Sequence, residues 1–254
     1  MRNPAMHRFN EFVPLTSNEI HSIERLSVRT LHLRRHDAIR SQGDQVRDVY
    51  LLTDGWVGCC MDVAEGRRQM VKVHLPGDML GTPSMTLRTA AETLVALRRA
   101  TVEVVPVCEF SRLFVSSPRI ASAMFLSSLK ERIFLMDRLT SVARTSAIQR
   151  LSAFLVNVYE RLKLVGLEEA QLDLPLSQGE LADVIGITAV HANRTWGQLE
   201  GTGLIRREGR RIFLLDVEAL KSLGAMPQRR FERLPHWNIA PPAEPSLSSG
   251  TMVA

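Results

Sequence analysis

LSQGELADVIGITAVHANRTWGQLEGTGL (residues 176–204) is the stretch on which the fold turns. Ser177 followed three residues later by Glu180 has the spacing of a capping box, so a helix starts there. Leu181, Val184 and Ile185 give that helix one apolar face. Gly186 stops it, because glycine alone enters the left-handed conformation of a sharp turn without steric cost. Thr188 caps a second helix running to about Glu200, with Ala192, Trp196 and Leu199 facing inward. Ala189, Val190, His191, Asn193 and Arg194 are left near its exposed N-terminal half. Ala182 is small enough for the two helices to cross closely, and the pattern predicts a helix-turn-helix whose second helix enters the DNA major groove.

The next residues extend that reading. After Gly203, Leu204 and Ile205 comes RREGRRIFLL (residues 206–215), which predicts a β-hairpin with Gly209 at its tip. Arg206 and Arg207 lie on one side of the tip, Arg210 and Arg211 on the other, a wing suited to phosphate contacts.

Upstream, Ser117 caps a helix that Pro118 opens. Leu126, Leu129, Ile133, Met136, Thr140, Ala143 and Ala147 recur at alternating spacings of three and four, the period of a coiled-coil seam. A parallel homodimer helix is expected; packing of that face on the chain's own barrel is the alternative. A second helix over residues 146–163 carries Ile148, Leu151, Leu155, Val158 and Leu162 toward the helix-turn-helix, and a loop follows at residues 166–169. Residues 216–223 read as a short closing helix.

Residues 31–107 have a different character. Turn pairs at Gly43-Asp44, Asp54-Gly55, Glu65-Gly66 and Pro76-Gly77-Asp78 punctuate strand-like runs. Val57, Cys59, Met61 and Val63 alternate on one face, Val71, Val73 and Leu75 on another, and Val102, Val104 and Val107 close the series. Short strands at this spacing predict a sandwich or jelly-roll barrel. Residues 1–30 read as a helical lead-in, with a cap at Leu15–Ile20 and Ile20, Ile23 and Leu26 at helical spacing.

The chain has no run of 18 apolar residues and no signal-peptide pattern at its start, so a soluble cytoplasmic protein is expected. Three cysteines, with Cys59 and Cys60 adjacent, make neither a disulfide framework nor a metal motif and read as small buried hydrophobes. The net charge is +5, yet residues 144–224 hold ten basic and ten acidic side chains. A case for DNA binding therefore rests on where Arg194 and the wing arginines stand, not on bulk charge.

Barrel, long helix and winged helix-turn-helix, in that order, resemble the cyclic-AMP receptor protein and fumarate–nitrate regulator (Crp/Fnr) superfamily of bacterial transcription factors over about residues 10–222. DVYLLTDGWVG (residues 48–58), GRRQMVKVHLPGD (66–78) and LSQGELADVIGITAVHANRT (176–195) carry the resemblance. VHANRT and GRRQ are most similar to a branch common in α-proteobacteria. The resemblance implies an α+β protein with a cyclic-nucleotide-binding-like barrel and lead-in (residues 1–117), a dimerisation helix (118–143) and a winged helix-turn-helix (144–224), while the prolines and serines of residues 225–254 read as a disordered tail. It implies a homodimer on a two-fold symmetric DNA site, contact with RNA polymerase, and no enzymatic activity.

Departures from the family pattern narrow the signal. Nucleotide-binding members hold the cyclic phosphate with a G-E-x-A turn and an Arg-Ser pair about ten residues on. The matching positions here are Gly81, Thr82, Pro83 and Ser84, then Glu92 and Thr93. A carboxylate facing a phosphate repels it. The candidate effector pocket of Gly81, Thr82, Glu92 and Thr93 is thus not expected to bind cyclic AMP. No cysteine precedes residue 30 to hold an iron–sulfur cluster, so that cofactor is not expected either. Haem-sensing members use a barrel histidine, and His74 lies in the same general region, but a lone strand histidine is more often structural, and haem is not expected. His32 and His36 make a poor metal pair, and an unidentified small effector stays open.

At the recognition helix, Ala189-Val190 replaces the family's Arg-Glu start, while Arg194 is kept. Val190, His191 and Arg194 are the candidate base contacts. Ser177, Gln178, Thr188, Arg206, Arg207, Arg210 and Arg211 are the candidate phosphate contacts. Leu126, Leu129, Ile133, Met136, Thr140 and Ala143 are the candidate dimer seam. The rival reading is a jelly-roll module that binds a small molecule or a metal and does not primarily bind DNA.

Overall fold

A computed structural model describes residues 10–63, 68–227, 229 and 231. The Glu65-Gly66 turn, the first half of the GRRQ motif and most of the C-terminal tail lie outside those residues.

Helix α1 (Ser17–Glu24) opens the described chain, capped by the Thr16 hydroxyl with Glu19 completing the capping box. Eight strands follow: β1 (Arg29–Leu33), β2 (Ala38–Arg40), β3 (Asp48–Asp54), β4 (Val57–Asp62), β5 (Arg68–His74), β6 (Met79–Leu80), β7 (Thr93–Ala96) and β8 (Ala100–Pro106). They form two antiparallel sheets, ordered β1-β8-β3-β6 and β2-β7-β4-β5. The jelly-roll core between the sheets is built by Tyr50, Leu52, Val57, Leu80, Leu94, Val102 and Val104. Each outer sheet face is covered too. Val49, Leu51 and Val105 pack on α1 and on α2 (Val107–Ser116) and α3 (Pro118–Arg144). That double burial is why VYLL in β3 is an uninterrupted apolar run.

Two strand readings need correction. The alternation of Val57, Cys59, Met61 and Val63 breaks at a β-bulge between Cys59 and Cys60. Val57 and Cys59 face the barrel core and Cys60 is buried on the outer face of the sheet, but beyond the bulge, where β5 carries the extra residue Val71, Met61 and Val63 are exposed. Val107 is no strand residue: it begins α2, a helix with Phe110 and Leu113 buried that sequence periodicity missed.

After α3 the chain turns at Thr145 into α4 (Ala147–Lys163), with Leu151, Leu155 and Val158 inside. Then come β9 (Gln171–Asp173), α5 (Gln178–Ile185), α6 (Ala189–Gly201), β10 (Ile205–Glu208), β11 (Arg211–Leu214) and α7 (Val217–Leu223). The expected hairpin is the larger part of a three-stranded sheet, β10-β11-β9.

Barrel and C-terminal unit share a hydrophobic core. Trp56, Cys60, Met70, Val73 and Leu75 on the outer face of the second sheet join Leu155, Leu181, Val184 and Trp196 in one cluster. Polar contacts frame it. Gln69 Nε2 donates to the Asp183 carbonyl at 2.7 Å, and Arg161 of α4 donates to the Val73 carbonyl at 3.1 Å and pairs with Asp78. Arg138 of α3 donates to two carbonyls, those of Val71 in β5 and Val184 in α5.

Disorder is expected from residue 225, but the segment's start is docked. Arg229 forms an ion pair with Asp137, and Phe231 packs edge-on against Phe12, ring centroids 6.2 Å apart, and beside Phe134.

Candidate nucleic-acid interface

Local chemistry builds α5 and α6 as expected. The Ser177 hydroxyl accepts from the Glu180 amide at 3.2 Å, and the Glu180 carboxylate accepts from the Ser177 amide at 2.6 Å. Gly186 ends α5 with φ +71°, and a side chain there would meet Val142 of α3 at 3.4 Å. Thr188 then caps α6 by accepting from the His191 amide at 3.3 Å.

Helix α6 is anchored by Ala192, Trp196 and Leu199, as expected, and also by Thr195, fully buried with its hydroxyl on the His191 carbonyl at 2.8 Å. Mid-helix threonine is a polar residue that sequence patterning places outside; the backbone bond is what allows it in. The opposite face is bare: Val190, His191, Asn193 and Arg194 are exposed, as is Gln198 one turn beyond Arg194. Gln198 was not singled out from sequence; its i+4 relation to Arg194 is the signal that could have found it.

The phosphate candidates divide. Gln178 and Thr188 are exposed at the starts of α5 and α6. Ser177 is exposed, but its hydroxyl and amide are engaged in the cap, and Glu180 beside it pairs with Arg35 of the barrel at 3.3 Å. In the wing, alternate residues point to opposite faces. Arg206 stacks 4.5 Å from the Phe213 ring centre and pairs with Glu208 at 3.1 Å. Arg207 turns the other way, 4.7 Å over the Trp196 ring and 3.8 Å from Glu200. It braces the wing against the recognition helix and keeps about a third of its side chain exposed, 31%, so it faces differently from Arg206. Arg210, 3.7 Å from Asp173, and Arg211 are exposed at the tip.

The α3 seam also divides. Leu129, Met136, Thr140 and Ala143 are exposed and Ile133 is half-buried, while Phe125, Leu135, Leu139 and Val142 extend the exposed apolar surface. Leu126 does not belong to it: it is only 8% exposed and packs with Phe12, Val13 and Ala123 of the same chain. Its place on the helix turns it toward the lead-in, about a hundred degrees from Phe125. Ala147 lies beyond the Thr145 break, in α4.

Inside the barrel, two of the four candidate pocket residues, Gly81 and Glu92, meet an unforeseen partner, Arg40. The Arg40 guanidinium pairs with Glu92 and donates to the Gly81 carbonyl at 3.4 Å and the Asp48 carbonyl at 3.2 Å. Ser84 donates its hydroxyl to the other Glu92 oxygen and accepts from the Ala91 amide at 3.0 Å. Thr93 accepts from the Gln42 amide at 2.9 Å, and Thr82 is half-buried at the rim. A side chain at Gly81, where φ is +78°, would strike Arg40 at 2.8 Å, so this glycine makes room for the guanidinium.

His74 is fully enclosed, 3.3 Å from Asp78, and burial pushes its imidazole down to about 4, with the Lys72 charge acting in the same direction. Burial raises the thiols of Cys59 and Cys60 to about 12 and about 11. The described residues contain no group of three or more metal-ligating side chains, and no helix among them is long and apolar enough to cross a membrane.

Two family matches fit this geometry. Residues 30–117 match the cyclic nucleotide-binding domain, and residues 149–223 match the Crp-like helix-turn-helix domain. The chain belongs to the Crp/Fnr family. Crp/Fnr relatives include the transcriptional regulatory protein btr of Bordetella pertussis, 25% identical over 83% of this chain and 87% of that protein. The nitrogen fixation regulation protein FixK of Bradyrhizobium diazoefficiens is 28% identical over 83% of this chain and 88% of its own length. Among solved structures, FixK2 from Bradyrhizobium japonicum shares the fold with a TM-score of 0.70 at 23% identity, covering 79% of this chain and 98% of that one. This Crp/Fnr protein is a DNA-binding transcription regulator. Its barrel holds the buried Arg40–Glu92–Ser84 network.

Proposed function

We propose that the chain acts as a homodimer on a two-fold symmetric DNA site, with half-sites about 34 Å apart. The observation that carries this is the bare face of α6. Val190, His191 and Arg194 are exposed together while Trp196 and Leu199 fix the helix from behind. Arg194 donates to guanine O6 and N7, Val190 packs on a thymine methyl, and His191 hydrogen-bonds a base or a phosphate. Gln178, Thr188, Arg210 and Arg211 hold the backbone at the margins. The exposed apolar surface of α3 supports pairing with a second copy, because a monomer leaving such a stripe bare carries a cost in water.

The barrel is a scaffold that has lost cyclic-nucleotide binding. Glu92 puts a buried carboxylate where a cyclic phosphate would lie, and Arg40, the cation that could receive that phosphate, is already its partner. Haem and iron–sulfur play no part in this reading, and contact with RNA polymerase is included in it.

Selection of bound duplexes from a random DNA pool, with purified protein and no added ligand, tests both parts. Enrichment of an inverted repeat is expected. Failure to enrich without ligand, followed by enrichment when cyclic AMP is added, would overturn the scaffold reading. Enrichment of a single asymmetric element would overturn the two-fold one.

A further inference from the structure

The DNA-binding unit is electrically neutral, with ten basic and ten acidic residues over 144–224, while the whole chain is +5. The excess positive charge therefore lies elsewhere, and part of it is gathered at the end of the barrel that touches the DNA-binding unit. Two turns meet there. The β1–β2 turn carries Arg34 and Arg35, and the β7–β8 turn carries Arg98 and Arg99, all exposed. The turns are held side by side by the His36 amide on the Ala96 carbonyl at 2.7 Å and the Ala96 amide on the Asp37 carbonyl at 2.9 Å.

Both arginine pairs adjoin elements that the DNA reading assigns to phosphates. Arg35 reaches Glu180 in the first turn of α5 at 3.3 Å. Arg98 reaches Asp173 of the wing sheet at 3.2 Å, and Arg210 approaches the same carboxylate at 3.7 Å from the wing tip. Between barrel turn and wing lies an open cleft of about 660 Å³ lined by Arg98, Arg99, Arg210 and Arg211 with Asp173 and Glu208. Asp173 is thus an internal anion shared by guanidinia from two parts of the fold. These pairs are weakly held: Arg98, Asp173 and Arg210 keep 43%, 49% and 54% of their side-chain surface in water. Exposed pairs of this kind are worth about 0–1 kcal/mol, so a phosphate can take over the arginines at little cost.

We propose that Arg34, Arg35, Arg98 and Arg99 form an accessory contact for the sugar–phosphate backbone of DNA flanking each half-site, continuous with the wing tip. This rests on the DNA-binding reading above. Duplex that engages the start of α5 and the wing passes the barrel turns that touch both. Arginine suits the task because it grips phosphate oxygens in pairs and stays charged.

The test compares two duplexes carrying the selected inverted repeat, one ending at the half-site edges and one extended by about ten base pairs on each side. Full-length protein binds the extended duplex more tightly, by roughly tenfold at low salt, and with a steeper dependence of log K on log salt, by about 0.9 for each phosphate engaged. The variants R34A/R35A and R98A/R99A each lose part of that increment, the combined variant loses it all, and the lysine versions keep most of it. Affinity for the short duplex reports on folding and on the base contacts, and R194A lowers it whatever the length.

Equal affinity and equal salt slope on both duplexes for the wild type would overturn the proposal, as would an undiminished increment in the combined alanine variant. Inorganic tripolyphosphate that releases the short duplex from the wild type but not from the alanine variant would assign the cleft to a small polyanion instead. Failure of the wild type to bind either duplex would overturn the DNA reading itself, and this contact with it.

Discussion

Arg40 and Glu92 form an ion pair inside the barrel, with side-chain exposures of only 3% and 7%. The two residues are far apart in sequence, in β2 and just before β7, and neighbouring strands of one sheet bring them together. Removing one member leaves a buried charge without its partner, whereas removing both does not. Glu92→Ala is expected to lower unfolding free energy by about 3–5 kcal/mol. The double variant Arg40→Met/Glu92→Leu is expected to lose much less. Urea unfolding of the three proteins measures this, and a Glu92→Ala variant as stable as wild type would show that the pair does not hold the barrel. On the same reasoning, cyclic AMP should leave the melting temperature of the wild type unchanged.

His74 gives the fold a pH dependence. Burial is the main cause of its depressed pKa of about 4, helped by Lys72 and opposed by the Asp78 hydrogen bond. Once unfolded, the imidazole titrates near its ordinary 6.5. Between those values the unfolded chain binds a proton that the folded chain does not. Stability from this group is therefore complete above pH 6.5 and is lost as pH falls toward 4, with a slope of up to about 1.4 kcal/mol per pH unit. Denaturant unfolding across pH 7 to 4 should show a shallower fall for His74→Gln than for wild type. Parallel curves would mean that His74 does not carry the effect.

On α3, two leucines are expected to report different things. Leu139 is 74% exposed and belongs to the apolar surface offered to a second copy. Leu139→Glu should convert a dimer to a monomer in sedimentation equilibrium and reduce operator affinity at least tenfold, with little change in the barrel's stability. Leu126 packs on Phe12 and Val13. Leu126→Ala should cost about 2–4 kcal/mol of stability through the cavity it leaves, while the protein still dimerises. Dimerisation lost in Leu126→Ala and kept in Leu139→Glu would reverse the assignment.

Arg194 stands exposed on α6, one turn after Val190. Replacing it by alanine should cost about 1–3 kcal/mol of discrimination at one base pair of each half-site, seen as that position relaxing in repeated selections. A uniform loss over all sequences would reassign Arg194 to a phosphate.

Much of the interface was legible because its signals are local. The Ser177–Glu180 box, Gly186 at the turn, the Thr188 cap and the Pro118 helix start all lie within a few residues of the structure they cause. The barrel's type was legible from strand spacing, but its bulge was not, since the extra β5 residue opposite Cys59–Cys60 shows only once β4 and β5 are paired. Helix α2 hid behind strand-like valines up to Val107, and β9 is too short to announce itself. Arg207 looks like Arg206 in sequence; only the side of the strand it occupies puts it on Trp196.

By itself, then, the sequence determined the order of elements, the helix-turn-helix and the exposed identity of the recognition residues, because caps, glycine turns and hydrophobic period act over a few residues. What the tertiary structure decided were the long-range partnerships. It set Arg40 against Glu92, turned Leu126 inward while leaving Leu139 in water, and laid Arg98 beside Asp173. Those outcomes depend on which strands pair and which helix faces meet, and the packing that chooses them is a property of the whole chain rather than of any one stretch.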